Sequence, residues 1–124
     1  MDLIDKHIIS RSTSAIRCLP LNSDFYKDIQ ISGLSAEQVF NLKGRYIAKK
    51  FFKLKNAEEV EIHFLWLIKI GVLRREVDGQ GLTSKVRLTP LGRLVLENDQ
   101  NLPNQKASLF ELVKHSLYRF FLLP

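Results

Sequence analysis

Between residues 43 and 55 the chain carries Lys43, Arg45, Lys49, Lys50, Lys53 and Lys55 with no acidic residue among them. A run of ammonium and guanidinium groups is suited to holding phosphate oxygens, with an affinity that falls as salt rises because counterions are released from the polyanion. A second basic set, Arg74, Arg75, Lys85 and Arg87, flanks the turn residues Asp78, Gly79 and Gly81. Together these ten residues are the candidate DNA-binding groups. The competing reading is a solvated helix face followed by charges that protect strand edges from pairing with other chains.

Acidic groups interrupt the pattern. Glu58, Glu59 and Glu61 follow the lysines directly. Carboxylates are repelled by a phosphate-lined groove, although a glutamate can accept a hydrogen bond from cytosine N4. They suit the first turn of a helix, where the macrodipole favours negative charge. His7, His63 and His115 are scattered, with no cysteine or paired carboxylate at ligand spacing, so no metal site is expected. The chain lacks a phosphate-binding loop, a nucleophile elbow and a zinc-protease motif. Gly79 and Gly81 are too few for a phosphate cradle. Neither catalysis nor a cofactor is expected.

Composition fits that reading. With 124 residues, 45% hydrophobic and 26% charged, the chain has the length and balance of one globular domain. Its net charge of +6 and pI near 9.6 match a nucleic-acid binder. The lone Cys18 cannot form an internal disulfide and reads as a small buried hydrophobe, which places the protein in a reducing cytoplasm. No long uncharged apolar run and no basic leader occur, so neither a membrane span nor a signal peptide is expected.

The elements that must position these groups follow from spacing. Over residues 3–18, Ile4, Ile8 and Ala15 share a helical face, and Leu19-Pro20 ends the helix. Residues 20–34 read as a connector holding at most one helical turn. Ser35 with Gln38 three residues later forms a capping box, opening a helix toward Lys43-Gly44. In GRYIAKKFFKLKN, Ile47, Phe51 and Leu54 share a face and predict a second short helix. Asn56 caps a third helix that Gly71 ends. A hairpin follows, and Thr89-Pro90 opens a helix running to about Asn98. Residues 105–122 close the chain as an amphipathic helix.

The stretch WLIKIGVLRR, the tip EVDGQG and the run VRLTPLGRLVLE together resemble winged-helix regulators of the MarR and PadR type. Leu88, Thr89, Gly92 and Arg93 match the Leu-Thr-x-x-Gly-Arg that opens the helix after the wing in those families. The resemblance implies a mainly helical α+β winged helix-turn-helix, with residues 1–19 an N-terminal helix, 35–98 the core and 105–122 a C-terminal helix. It places the recognition helix at residues 57–70 and the wing tip at 78–85. It also implies a homodimer built by the terminal helices, through Ile4, Ile8 and Ile9 with Leu109, Val113, Leu117 and Phe121. The whole chain further resembles a small family of cyanobacterial proteins, a likeness that carries no function of its own.

One helix argues against base reading. On residues 57–70, Val60, Phe64 and Leu67 form a core stripe, yet Ile62, Leu65 and Trp66 make the opposite side apolar too. A helix apolar nearly all round is covered on both sides, so these three join Leu109, Val113, Leu117 and Phe121 as interface candidates. Three functions follow. The first is a transcription-regulator-like protein gripping double-stranded DNA by phosphates. The second is a winged-helix module that has given up DNA for protein–protein assembly. The third is a small-molecule-binding regulator, with a cavity between the hairpin domain and the terminal helices. A continuous positive face from residues 43–55 to the wing favours the first; a face split by Glu58, Glu59 and Glu61 favours the second.

Overall fold

The computed structural model describes residues 3–47 and 53–122. It is mainly helical, with one two-stranded antiparallel sheet among the described residues. Helix α1 spans Leu3–Cys18. Helix α2, Ser23–Ile31, replaces the connector that composition suggested. Asn22 caps it by accepting from the Phe25 amide, and Phe25, Tyr26 and Ile29 then fall on one face and are buried. That burial outweighs the turn-forming bias of the surrounding Asn, Ser and Asp residues.

Helix α3, Ala36–Asn41, starts at the expected capping box: Ser35 Oγ accepts from the Gln38 amide, and Gln38 returns the bond to the Ser35 amide. A single turn, α4, covers Lys43–Tyr46. Of the second amphipathic helix expected over GRYIAKKFFKLKN, the described residues show a different start. Ile47 is extended, its side chain is buried and its backbone bridges Leu21, a pairing between residues far apart in sequence, and residues 53–55 are not helical. Residues 48–52, with Lys49, Lys50 and Phe51, lie outside the described residues.

Helix α5, Ala57–Lys69, is capped by Asn56, whose side chain accepts from the Glu59 amide. Gly71 follows at φ +91°, a left-handed conformation natural to glycine after a helix end. Strands β1, Leu73–Asp78, and β2, Gly81–Leu88, pair with Leu73 opposite Leu88 and Val77 opposite Leu82, with an irregularity at Glu76. Leu34 adds one antiparallel bridge to Val86 on the free side of β2.

Thr89 then explains the Thr-Pro start of helix α6, Pro90–Asn98. Its hydroxyl accepts from the Gly92 amide and lies within donor reach of the Gly71 and Val72 carbonyls, tying the helix start to the end of α5. A 3₁₀ turn at Leu102–Asn104 leads to helix α7, Leu109–Leu122. Phe25, Phe64, Val39, Leu67, Leu73, Val86 and Leu88 form the centre of the core, with Phe25 and Phe64 stacked at 5.6 Å. Helix α1 lies against α6 and α7.

Candidate nucleic-acid interface

The eight described basic candidates divide by what each cation already holds. Lys43 is exposed, with its ammonium 5.0 Å from the Phe40 ring centre. Lys53 and Lys55 are exposed too. Arg45, by contrast, holds Asp28 through two hydrogen bonds of 3.0 and 3.2 Å, and Tyr46 donates to the same carboxylate at 2.7 Å. The Arg45 bonds, followed by that of Tyr46, hold the Asp28 carboxyl below the usual carboxylate range.

On the hairpin, only Arg74 is exposed and without a carboxylate partner; its guanidinium reaches the neighbouring Arg75 carbonyl. Arg75 pairs with Glu61 of α5 and donates to the Ser84 carbonyl at 2.8 Å. Arg87 reaches back across the molecule. It donates to the Ile29 carbonyl at 2.7 Å and the Gln30 carbonyl at 3.0 Å, and pairs with Glu76 at 3.2 Å. The two carbonyls are at the end of α2, where a cation suits both the unsatisfied acceptors and the macrodipole. Lys85 is half-buried on β2.

In sequence the acids of α5 lie between the two basic sets. Glu59 accepts from the Lys55 amide at 2.9 Å, and Glu61 holds Arg75. Exposed groups on this helix are Glu58, Ile62, Leu65 and Lys69, so its open side is acidic and apolar before it is basic. Glu59 thus stands at the backbone of Lys55 and Glu61 at the hairpin's Arg75. Direct base reading would require Arg, Lys, Asn or Gln on that face.

The apolar candidates also divide. Trp66 is only 1% exposed, so it belongs to the interior rather than to a surface. Its Nε1 donates to His115 Nε2 at 3.0 Å, the rings of His115 and Tyr118 stand edge-on to it, and the Arg119 guanidinium lies 5.7 Å from its ring centre. The covering of the second face of α5 is therefore supplied by α7 of the same chain at Trp66, and this was not visible in the helical spacing. Ile62 and Leu65 remain half exposed. Arg119 donates to the Ile62 carbonyl at 3.3 Å, which fixes the C-terminal part of α7 beside them.

Helix α7 meets the body through polar groups. Arg17 of α1 pairs with Glu111 at 2.7 Å, Arg11 donates to the Tyr118 hydroxyl at 3.2 Å, and His115 takes the Trp66 bond. Away from these contacts Leu109, Phe110, Val113, Leu117, Phe120 and Phe121 are exposed to solvent, Phe110 beside the groove between α1 and α7. Three of these phenylalanines are more than 75% exposed. Among the described residues no group of histidine, cysteine and carboxylate side chains is arranged to hold a metal ion, and no helix is long and apolar enough to cross a membrane.

Over residues 3–119 the chain matches the sequence model of the Npun_F0494-like family, and it belongs to that family. No curated protein and no solved structure matches it.

Proposed function

We propose that this member of the Npun_F0494-like family is an assembly module of winged-helix topology that pairs with a second copy through α7. The topology is supported by the order α2, bridge residue Leu34, α3, α5, β1, β2, in which Leu34 extends the hairpin on the β2 side. The observation that carries the functional reading is the open apolar side of α7, with Leu109, Phe110, Val113, Leu117, Phe120 and Phe121 exposed. An aromatic side chain covers about 150–250 Å² when buried, so the three phenylalanines offer on the order of 450 Å². The three aliphatic residues bring the patch toward the roughly 800 Å² per partner of a specific interface. A single helix face repeated on each copy is self-complementary under a two-fold axis.

Light scattering coupled to size exclusion tests this reading. The expected mass is twice the 14.4 kDa of the chain. A monomer at concentrations of about 100 µM sinks it.

A second reading is double-stranded DNA bound through its backbone alone, with the transcription-regulator role that such binding serves. It is favoured by Lys43, Lys53, Lys55 and Arg74, which are exposed and unpaired with carboxylates among the described residues. Anisotropy titration of duplex DNA should then show affinity that is independent of sequence and falls steeply with salt. Absence of binding at low salt excludes it. The split of the basic groups by Glu59 and Glu61 is why assembly ranks first.

A further inference from the structure

A groove of about 590 Å³ runs between α1 and α7, within the size range of small-molecule sites. Its charges are unbalanced. Arg11, Arg17 and Lys114 line it, with Glu111 the one carboxylate among the lining residues. Glu111 is held by Arg17 at 2.7 Å, and Arg17 also donates to Gln105 at 3.0 Å. That pair is closed, and it leaves Arg11 and Lys114 without a negative partner.

Arg11 is the more telling of the two. It is half-buried, and its guanidinium meets only neutral acceptors: the Tyr118 hydroxyl at 3.2 Å and, at 3.5 Å, the Ile70 carbonyl. Its Nε is buried with no hydrogen-bond partner among the described residues. A guanidinium withdrawn from water with no carboxylate beside it carries an uncompensated desolvation cost. Lys114 is exposed at the same groove and makes no hydrogen bond or ion pair with the described residues. An anion lying between them would supply the missing charge, and the planar guanidinium matches the two oxygens of a carboxylate or phosphate.

We propose that the groove between α1 and α7 binds a small organic anion bearing carboxylate or phosphate groups, with Arg11 and Lys114 as its charge partners. Isothermal titration of the full chain with inorganic pyrophosphate and, separately, with citrate, at constant ionic strength, tests it. Saturable binding of at least one of them is expected, and which one binds tells phosphate from carboxylate. Lys114→Ala should weaken that binding about tenfold, the loss of one charge-assisted contact. Arg11→Gln should weaken it at least as much where circular dichroism shows the chain still folded. Lys27→Ala, an exposed lysine on α2 that does not line the groove, should leave it unchanged. The proposal is overturned if neither anion binds saturably, or if Lys114→Ala weakens binding no more than Lys27→Ala.

Discussion

The indole of Trp66 and the imidazole of His115 are joined by one hydrogen bond, Nε1 to Nε2 at 3.0 Å, that ties α5 to α7. Donation by the indole requires an imidazole nitrogen with a free lone pair, so His115 is neutral with its proton on Nδ1. Burial, and after it the nearby Arg119 charge, lower the His115 pKa and favour that form. His63, on the same helix as Trp66, is pushed down to about 4, again by burial first and Arg119 second.

Stability should therefore fall on mild acidification. Both histidines have lower pKa values folded than unfolded, so below the ordinary value of 6.5 the unfolded chain binds more protons. The stabilisation is fully present above pH 6.5 and is lost as pH drops toward about 4 for His63. A displacement of that size corresponds to roughly 3 kcal/mol for His63 alone. Urea unfolding followed by tryptophan fluorescence at pH 7.5 and pH 4.5 measures it. Equal midpoints at the two pH values would show that neither histidine is held neutral by the fold.

Arg87 should behave as a structural residue. Its guanidinium serves the Ile29 and Gln30 carbonyls and Glu76 at once, and the side chain is 22% exposed. Arg87→Ala removes the charge that satisfies two helix-end acceptors and strands Glu76, with an expected cost of about 2–4 kcal/mol. Arg87→Lys should recover only part of it, because one ammonium cannot span the same three acceptors. Thermal denaturation reads both. A fully stable Arg87→Ala would return this residue to the phosphate-contact candidates.

Gly92 makes a sharper test of the hairpin-to-helix junction. A Cβ there would stand 2.5 Å from the Val72 carbonyl oxygen and 2.9 Å from the Leu88 side chain. Backbone cannot yield as a side-chain tip does, so Gly92→Ala should cost about 2–3 kcal/mol. At Gly79 the same addition meets open space, and Gly79→Ala should change stability by less than about 0.5 kcal/mol. Chemical denaturation of the two variants side by side gives the comparison. Equal stabilities would mean that the close approach of α6 to Val72 is not maintained in solution.

These residues also show where sequence reading succeeds and stops. Ser35, Asn56 and Thr89-Pro90 announce their helices because a cap is a local bond between residues three apart. The turn glycines announce the hairpin for the same reason. Helix α2 was missed because Pro20, Asn22, Ser23 and Asp24 outweighed the signal that did exist, an Asn cap followed by Phe25, Tyr26 and Ile29 on one face. Ile47 was misread because its bridge to Leu21 joins residues far apart in sequence. The division of the candidate cations is of the same kind. Nothing in the spacing of Arg45, Arg75 and Arg87 indicates that Asp28, Glu61 and Glu76 will meet them.

The outer side of α7 offers a prediction in which stability and assembly separate. Leu117 and Phe121 are 55% and 77% exposed, so neither is needed to fill the chain's own core. Leu117→Asp combined with Phe121→Asp should leave the unfolding midpoint of the single chain nearly unchanged, as surface substitutions do. Two carboxylates brought into a dry interface are costly, however, and should return the protein to a monomer. Trp66→Ala is the converse case. It removes a buried indole from α5 and the partner of His115, and should cost about 3–5 kcal/mol whatever the oligomeric state. Sedimentation velocity and denaturation on both variants place them on separate axes. A double aspartate variant that remains a dimer would move the self-association surface away from α7.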